Sequence, residues 1–253
     1  MGAGPCFGYL ASAQRPRLTT GYGDFRGLGA PMRMMCAFCR VPCEDVKYSA
    51  EQKSTGSWSS PIWARHKKEL AEANPLVQLP YVVNHVTGEV VAQSSAVYLY
   101  LGRVLGLGGR TRQERLANEQ VLFSVHVMWT QLRDLVYPEP GAKGRDPVAF
   151  RVALGEHLKV VVPDNYERLE AWLRLRCTPF VAGRRPCTAD FHVWELLDQQ
   201  ETMAKRHFYD SPLSNYQLLE EYYCRFRALP ALQGYFEGPD FKLPINNKMA
   251  YFY

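Results

Sequence analysis

The chain has no apolar stretch approaching the roughly 20 residues that cross a bilayer, so an integral membrane protein is not expected. It also has no clustered basic stripe. Thirty basic against 25 acidic residues leave a formal charge of +5, spread along 253 residues. That small excess favours anionic ligands and argues against a nucleic-acid binder. There is no paired cysteine framework: seven cysteines, odd in number and irregularly spaced, fit free thiols in a reducing compartment and not a disulfide scaffold. The histidines (His66, His85, His126, His157, His192, His207) form no HExxH or other metal-ligand pattern, and G-x-S-x-G is absent. Gly106 to Gly109 has no following Lys-Ser/Thr, which excludes a P-loop. Repeats and low-complexity tracts are also missing. Acidic residues are absent from 1–17, so that segment reads as a flexible tail or as the remnant of an organellar targeting segment. Cys6 stands where a myristoylation signal needs Ser or Thr.

What is present is ordinary for a soluble globular protein: 47 % hydrophobic and 22 % charged residues, enough for one large domain or two modest ones. The pattern changes near residue 110. Before it, Leu18–Tyr22 suits a strand, and Pro31 sits in the first turn of a helix whose apolar stripe is Met32, Met35, Cys36 and Cys39. Glu44–Tyr48 suits a second strand. The runs 81–84 and 89–92 flank His85–Gly88 as a hairpin, and Val97, Tyr100, Leu101 and Val104 form a further helical stripe ended by Gly106. This order, βαβ followed by ββα, specifies an α/β sandwich. Gly108–Gln113 reads as a linker. Beyond it, helical stretches fall at about 112–137, 148–161, 163–177, 188–206 and 213–228, with a loop at 141–147.

The Cys36-x-x-Cys39 pair, with Cys43 nearby, is not a redox motif of the thioredoxin type. There the attacking sulfur sits at a helix N-terminus, whereas these cysteines follow a full turn and belong to the apolar stripe, so they read as core. A zinc site lacks a fourth ligand.

Gly21-Tyr22-Gly23-Asp24-Phe25-Arg26-Gly27-Leu28 resembles the G-Y-W-D-I-R-G-L run that opens mu-class glutathione transferases. Gln78-Leu79-Pro80-Tyr81 is similar to N-L-P-Y of that class, and Gln93-Ser94-Ser95-Ala96 to Q-S-N-A. Val181-Ala182-Gly183, Ala189-Asp190-Phe191, Leu196-Leu197-Asp198 and the terminal Lys248-Met249-Ala250 match in the same order. The resemblance implies an α/β thioredoxin-like N-terminal domain at 18–107 and an all-α C-terminal domain at 113–253, preceded by the 1–17 extension. It implies a glutathione transferase that joins the glutathione thiolate to hydrophobic electrophiles.

By that resemblance Tyr22 activates the thiol, because a hydrogen bond donated to the sulfur favours the thiolate. Trp63 and Lys67 hold the glycyl carboxylate. Gln78, Leu79 and Pro80 receive the extended peptide, with Leu79 pairing like an added strand across a cis Leu79–Pro80 bond. Gln93 and Ser94 receive the γ-glutamyl carboxylate at a helix N-terminus. Read from the residues alone, Ser94 is equally an N-cap and Trp63 a half-buried helix residue. Tyr137 and the segment at Asn246 and Asn247 are expected to wall the hydrophobic substrate. No metal and no cofactor is implied, glutathione being a co-substrate. The expected location is the cytoplasm, or an organelle if the extension targets one, and the expected assembly is a homodimer.

The sequence also departs from the class. Gly23 replaces a Trp, and no arginine lies in the 49–62 loop. His126 and Val127 stand where a partner subunit's aspartate is expected, and Leu76 lies near the aromatic plug of the dimer. In the capping box around Asp190 the hydroxyl position holds Cys187, with Thr188 one residue late, so a weaker or shifted cap is expected. Gly23, the missing loop arginine and the missing partner aspartate, with the 1–17 extension and the aromatic end Tyr251-Phe252-Tyr253, support the alternative, a non-catalytic fold relative serving as a subunit of a larger assembly.

Overall fold

The computed structural model describes residues 16–137 and 146–252. The 1–17 extension, apart from Pro16 and Arg17, most of the 141–147 loop and Tyr253 lie outside the described residues. The chain divides into two compact units, Met1–Gly108 with Ala231–Asn247, and Gly109–Pro230 with Lys248–Tyr253. The sequence reading assigned all of 113–253 to the helical domain. By its contacts, the 231–247 segment instead groups with the first unit.

In the first unit the order is β1 (Leu18–Gly23), α1 (Gly29–Cys39), β2 (Cys43–Tyr48), β3 (Glu51–Gln52), β4 (Trp58–Ser59), α2 (Pro61–Ala71), β5 (Tyr81–Asn84), β6 (Glu89–Ala92) and α3 (Ser94–Val104). A four-stranded sheet runs β2-β1-β5-β6, with β1 and β2 parallel and the other pairs antiparallel. This is the βαβ–ββα sandwich that the alternation of short β-like and helix-like runs specifies. The Met32, Met35, Cys36 and Cys39 stripe is buried, and so are Arg33 and Met34, so α1 is covered nearly all round. In α3 the buried face is Val97, Tyr98, Leu101 and Gly102. Tyr100, expected in that stripe, instead turns its hydroxyl to the Glu89 carboxylate at 2.6 Å. The β3–β4 pair has no forerunner in the sequence reading: two-residue strands carry no periodicity to detect.

The second unit holds α4 (Arg112–Val136), α5 (Pro147–Glu156), α6 (Val162–Arg176), α7 (Thr188–Arg206) and α8 (Gln217–Arg227). Thr111 caps α4: its hydroxyl accepts from Glu114 N–H at 3.0 Å and the Glu114 carboxylate accepts from Thr111 N–H at 3.2 Å. The expected break between α5 and α6 is a π-helical turn, His157–Val161, so the helix widens ahead of Pro163 and continues. Residues 213–216, read as the start of α8, form a 3₁₀ turn over Pro212–Asn215. The core centres on Trp194 of α7, whose ring stacks on Tyr223 at 5.4 Å and Phe226 at 5.6 Å. Asp190 accepts from the N–H groups of Cys187 (2.7 Å) and Val181 (3.0 Å) and from the Tyr222 hydroxyl (3.0 Å). The cap is therefore not shifted to Thr188: the carboxylate reaches the backbone of Cys187 itself. After α8, a 3₁₀ turn at Pro230–Leu232 leads into α9 (Gln233–Glu237), too short for a sequence signal. No helix among the described residues is long and apolar enough to cross a membrane.

Candidate functional site

Strand register brings three of the expected glutathione residues, Tyr22, Pro80 and Gln93, to one end of the sheet. β1 pairs with β5 so that Gly21 faces Tyr81, and β5 pairs with β6 so that Tyr81 faces Ala92. One step further along each strand sets Tyr22, Pro80 and Gln93 side by side. On the other flank of β1, Gly23 faces Tyr48. The Leu79–Pro80 bond is cis, as expected.

Tyr22 is 8 % exposed and its ring lies 4.9 Å from Phe25. Glycines make that room. A Cβ on Gly27 would stand 2.9 Å from the Tyr22 hydroxyl, and one on Gly29 would stand 2.7 Å from the ring. At Gly23 a Cβ would meet the Phe25 ring at 2.0 Å. The position that carries Trp in the mu class is thus occupied by the Phe25 ring, which folds back over the glycine. Gly23 and Phe25 are one paired departure.

Two arginines hold this loop: Arg26, part of the Gly21–Leu28 run, and Arg33, which the sequence reading passed over. Arg33 on α1 is 5 % exposed. Its Nη1 donates to the Phe25 carbonyl (2.8 Å), its Nη2 to the Gly23 carbonyl (3.0 Å), and its Nε to Asp45 on β2 (2.8 Å). A buried guanidinium is tolerated because its donors meet a carboxylate and two carbonyls. The signal was a cation inside the otherwise apolar run Met32–Cys36. Arg26 donates its backbone N–H to the Pro244 carbonyl at 2.7 Å and sets its guanidinium over Phe241 at 4.5 Å, while Gly27 N–H bonds the Ile245 carbonyl.

Gln93 and Ser94 lie at the start of α3. Gln93, not Ser94, is the N-cap residue, with φ 72° and ψ 120° and no side-chain capping bond. A non-glycine residue is costly there, on the order of 1–3 kcal/mol, and such strain concentrates at ligand sites. The first N–H groups of α3 have no intrahelical acceptor, which creates the local anion preference of a helix N-terminus. The exposed Gln93 amide donates to the Leu76 carbonyl at 3.4 Å.

Trp63 is half-buried on α2, stacked on Tyr81 at 5.9 Å and set edge-on to Tyr48 at 5.2 Å. Lys67 follows one turn later. With Leu70, Ala71 and Leu79, Trp63 covers the buried cluster of Tyr48, Val77, Tyr81 and Ala92. The Tyr48 hydroxyl bonds His66 Nδ1 (3.0 Å) and the Tyr81 hydroxyl (2.7 Å). Burial, then the Tyr81 hydroxyl, pushes the Tyr48 phenol far above its usual range. Burial likewise raises Tyr81. Both stay neutral and interlocked, so they serve as scaffold. Gln78 and Leu76 are exposed. Tyr137 closes α4 in the second unit; Asn247 ends the 231–247 segment of the first, two residues beyond the Ile245 that bonds Gly27. His126 is half-buried and Val127 exposed on α4. Among the described residues no group of His, Cys, Asp or Glu is arranged to hold a metal.

A thioredoxin-like sheet with a cis-proline turn before β5, joined to a helical unit, is the fold of the glutathione transferases. Residues 150–239 match the family model described as Glutathione S-transferase, C-terminal domain. The chain is 28 % identical to Glutathione S-transferase Mu 1 of Oryctolagus cuniculus over 235 residues, 92 % of this chain and 97 % of that protein. It is 27 % identical to Glutathione S-transferase Mu 3 of Homo sapiens over 239 residues, 92 % and 94 % of the two. Among solved structures, the glutathione S-transferase Blo t 8 superimposes with a TM-score of 0.74 at 22 % identity, covering 92 % of this chain and 98 % of that one. The glutathione S-transferase of Ascaris lumbricoides gives 0.61 at 25 %, covering 88 % and 97 %. The chain is thus similar in sequence to mu-class glutathione S-transferases and has the glutathione S-transferase fold.

Proposed function

We propose that this protein is a glutathione transferase that conjugates the glutathione thiolate to hydrophobic electrophiles. The observation that carries the reading is the convergence of Tyr22, the Leu79–Pro80 turn and the Gln93–Ser94 helix start at one end of the sheet, reached by register alone. In this reading the peptide of glutathione lies along Leu79 as an added strand. Its γ-glutamyl carboxylate sits at the strained start of α3, held by Gln93 and Ser94. Trp63 Nε1–H and the Lys67 ammonium take the glycyl carboxylate from α2. The Tyr22 hydroxyl donates to the sulfur. A cysteine thiol with a pKa near 8.5 is mostly protonated at neutral pH, so a donor that favours the charged form raises the reactive fraction. The thiolate then attacks an electrophilic carbon of the hydrophobic substrate. The chemistry needs no metal.

The Phe25 ring over Gly23 bears on the alternative reading, a non-catalytic subunit. The lost Trp side chain leaves no void there, since the loop is refilled and pinned by Arg33. Retention of the full-length chain on immobilised glutathione tests the reading, with elution by free glutathione expected. A chain that passes through without delay contradicts it and favours the subunit.

A further inference from the structure

The thiol cluster of the first unit takes no part in the proposed reaction. Cys36 lies on α1 and Cys43 opens β2, the two elements being joined only by residues 40–42. Side chains of these elements meet rung by rung. Arg33 reaches Asp45 at 2.8 Å; one helical turn on along α1, and two residues back on the same face of β2, Cys36 meets Cys43. The Thr20 hydroxyl stands 3.5 Å from the Cys43 sulfur and the Glu44 carbonyl 3.8 Å from it, and the Cys36 thiol is close enough to shift the Cys43 titration. Cys36 is 5 % exposed, whereas Cys43 is partly exposed. Cys39, the other half of the sequence C-x-x-C, is buried and donates to the Leu105 carbonyl at 3.7 Å.

We propose that Cys43 is a site of reversible thiol oxidation by small disulfides and that Cys36 is its resolving thiol, closing a Cys36–Cys43 bond between α1 and β2. The Cys43 thiolate attacks one sulfur of a disulfide RSSR, forming a mixed disulfide on Cys43 and releasing RS⁻. Cys36 then loses its proton and attacks the Cys43 sulfur, so the Cys36–Cys43 bond forms as the mixed disulfide breaks and a second RS⁻ leaves. Two protein thiols are oxidised, one small disulfide is reduced, and two RSH result.

The order of the two steps follows from the environment of each sulfur. The interaction with Cys36, aided by hydrogen bonds from Thr20, lowers the Cys43 thiol against the opposing effect of burial. The interaction with Cys43, then burial, raises Cys36, so Cys43 is the sulfur of the pair that ionises first. Once Cys43 carries the mixed disulfide its negative charge is gone, and Cys36 is released to react. The proposal is independent of glutathione binding, because a neutral disulfide serves as the probe.

The test exposes the full-length chain to hydroxyethyl disulfide without reductant and maps cysteines by non-reducing mass spectrometry over time. The first adduct is expected on Cys43, ahead of the exposed Cys177 and Cys224. It should then disappear as a peptide pair linked through Cys36 and Cys43 accumulates, and dithiothreitol should reverse both products. Cys36→Ser should stop at the Cys43 adduct, and Cys43→Ser should form neither product. Adducts on Cys177 or Cys224 with Cys43 unmodified overturn the proposal, as does a linked pair that joins another cysteine. Should a variant fail to fold by circular dichroism, the wild-type time course alone decides, since it reads both the first adduct and the linked pair.

Discussion

Phe25 occupies the space that any side chain at position 23 would enter, its Cε1 lying 2.0 Å from a Cβ on Gly23. Gly23→Trp should therefore destabilise the chain by about 1–3 kcal/mol, the usual cost of overpacking. Phe25→Ile opens the space, so the double variant should recover part of that loss, with a coupling on the order of 1 kcal/mol in denaturant midpoints. Additive effects would mean that the ring is not the obstacle. Gln93 gives a second test at this scale. With φ at 72°, Gln93→Gly should relieve strain and raise stability by about 1 kcal/mol, while weakening retention on glutathione by removing the amide. A variant that is less stable and binds as well would separate the strain from the site.

Among the elements, α7 places two fully buried titrating groups within one turn, and their effects on stability oppose each other. Burial pushes the Asp190 carboxyl from 3.8 up to about 6, against the hydrogen bonds from Cys187, Val181 and Tyr222 that favour its charge. Its folded value lies above its unfolded one, so its contribution is full below about pH 4 and is lost as the pH rises through about 6. Burial, with the charge of His126 adding, pushes His192 from 6.5 down to about 3. Its contribution is present above about pH 6.5 and is lost as the pH falls towards 3. Between about pH 4 and 6 the two slopes cancel. Asp190→Asn should expose the histidine's slope, with urea midpoints rising as the pH rises. His192→Gln should expose the carboxyl's, with urea midpoints falling over the same window as the unfolding free energy drops by an amount on the order of 3 kcal/mol. Parallel pH profiles for the two variants would contradict this reading. The α4 cap gives a simpler measurement: Thr111→Ala should cost about 1 kcal/mol, because Glu114 N–H loses its acceptor.

The elements differ in how plainly the sequence announced them. β1, α1, β2 and the β5–β6 hairpin carry full apolar periods and turn residues, so they were legible. The β3–β4 pair and α9 are shorter than any period, and 148–161 and 163–177 read as separate helices because a sequence does not reveal that a π-turn lets the helix run on.

For the whole molecule, the fold was readable because motifs in order constrain a topology even when each alone is weak. The site was readable only as residue types. Tyr22, Leu79, Pro80, Gln93 and Ser94 matched a pattern, but their meeting at one sheet end depends on strand register. Arg33 and Phe25 were missed because their partners, the Gly23 and Phe25 carbonyls and the bare Cα of Gly23, are made by backbone and not by any local motif. The central claim is that Tyr22 activates a bound thiol. The measurement that tests it most directly is the pH–rate profile for conjugation of glutathione to an aryl halide, in wild type and Tyr22→Phe. A hydrogen bond to a charged sulfur is worth about 1.5–3 kcal/mol, so the variant should be slower near neutral pH by roughly 10- to 100-fold, with its limb displaced to higher pH and its binding to glutathione retained. Equal profiles for an active wild type and the variant, or no turnover by the wild type, would contradict the account.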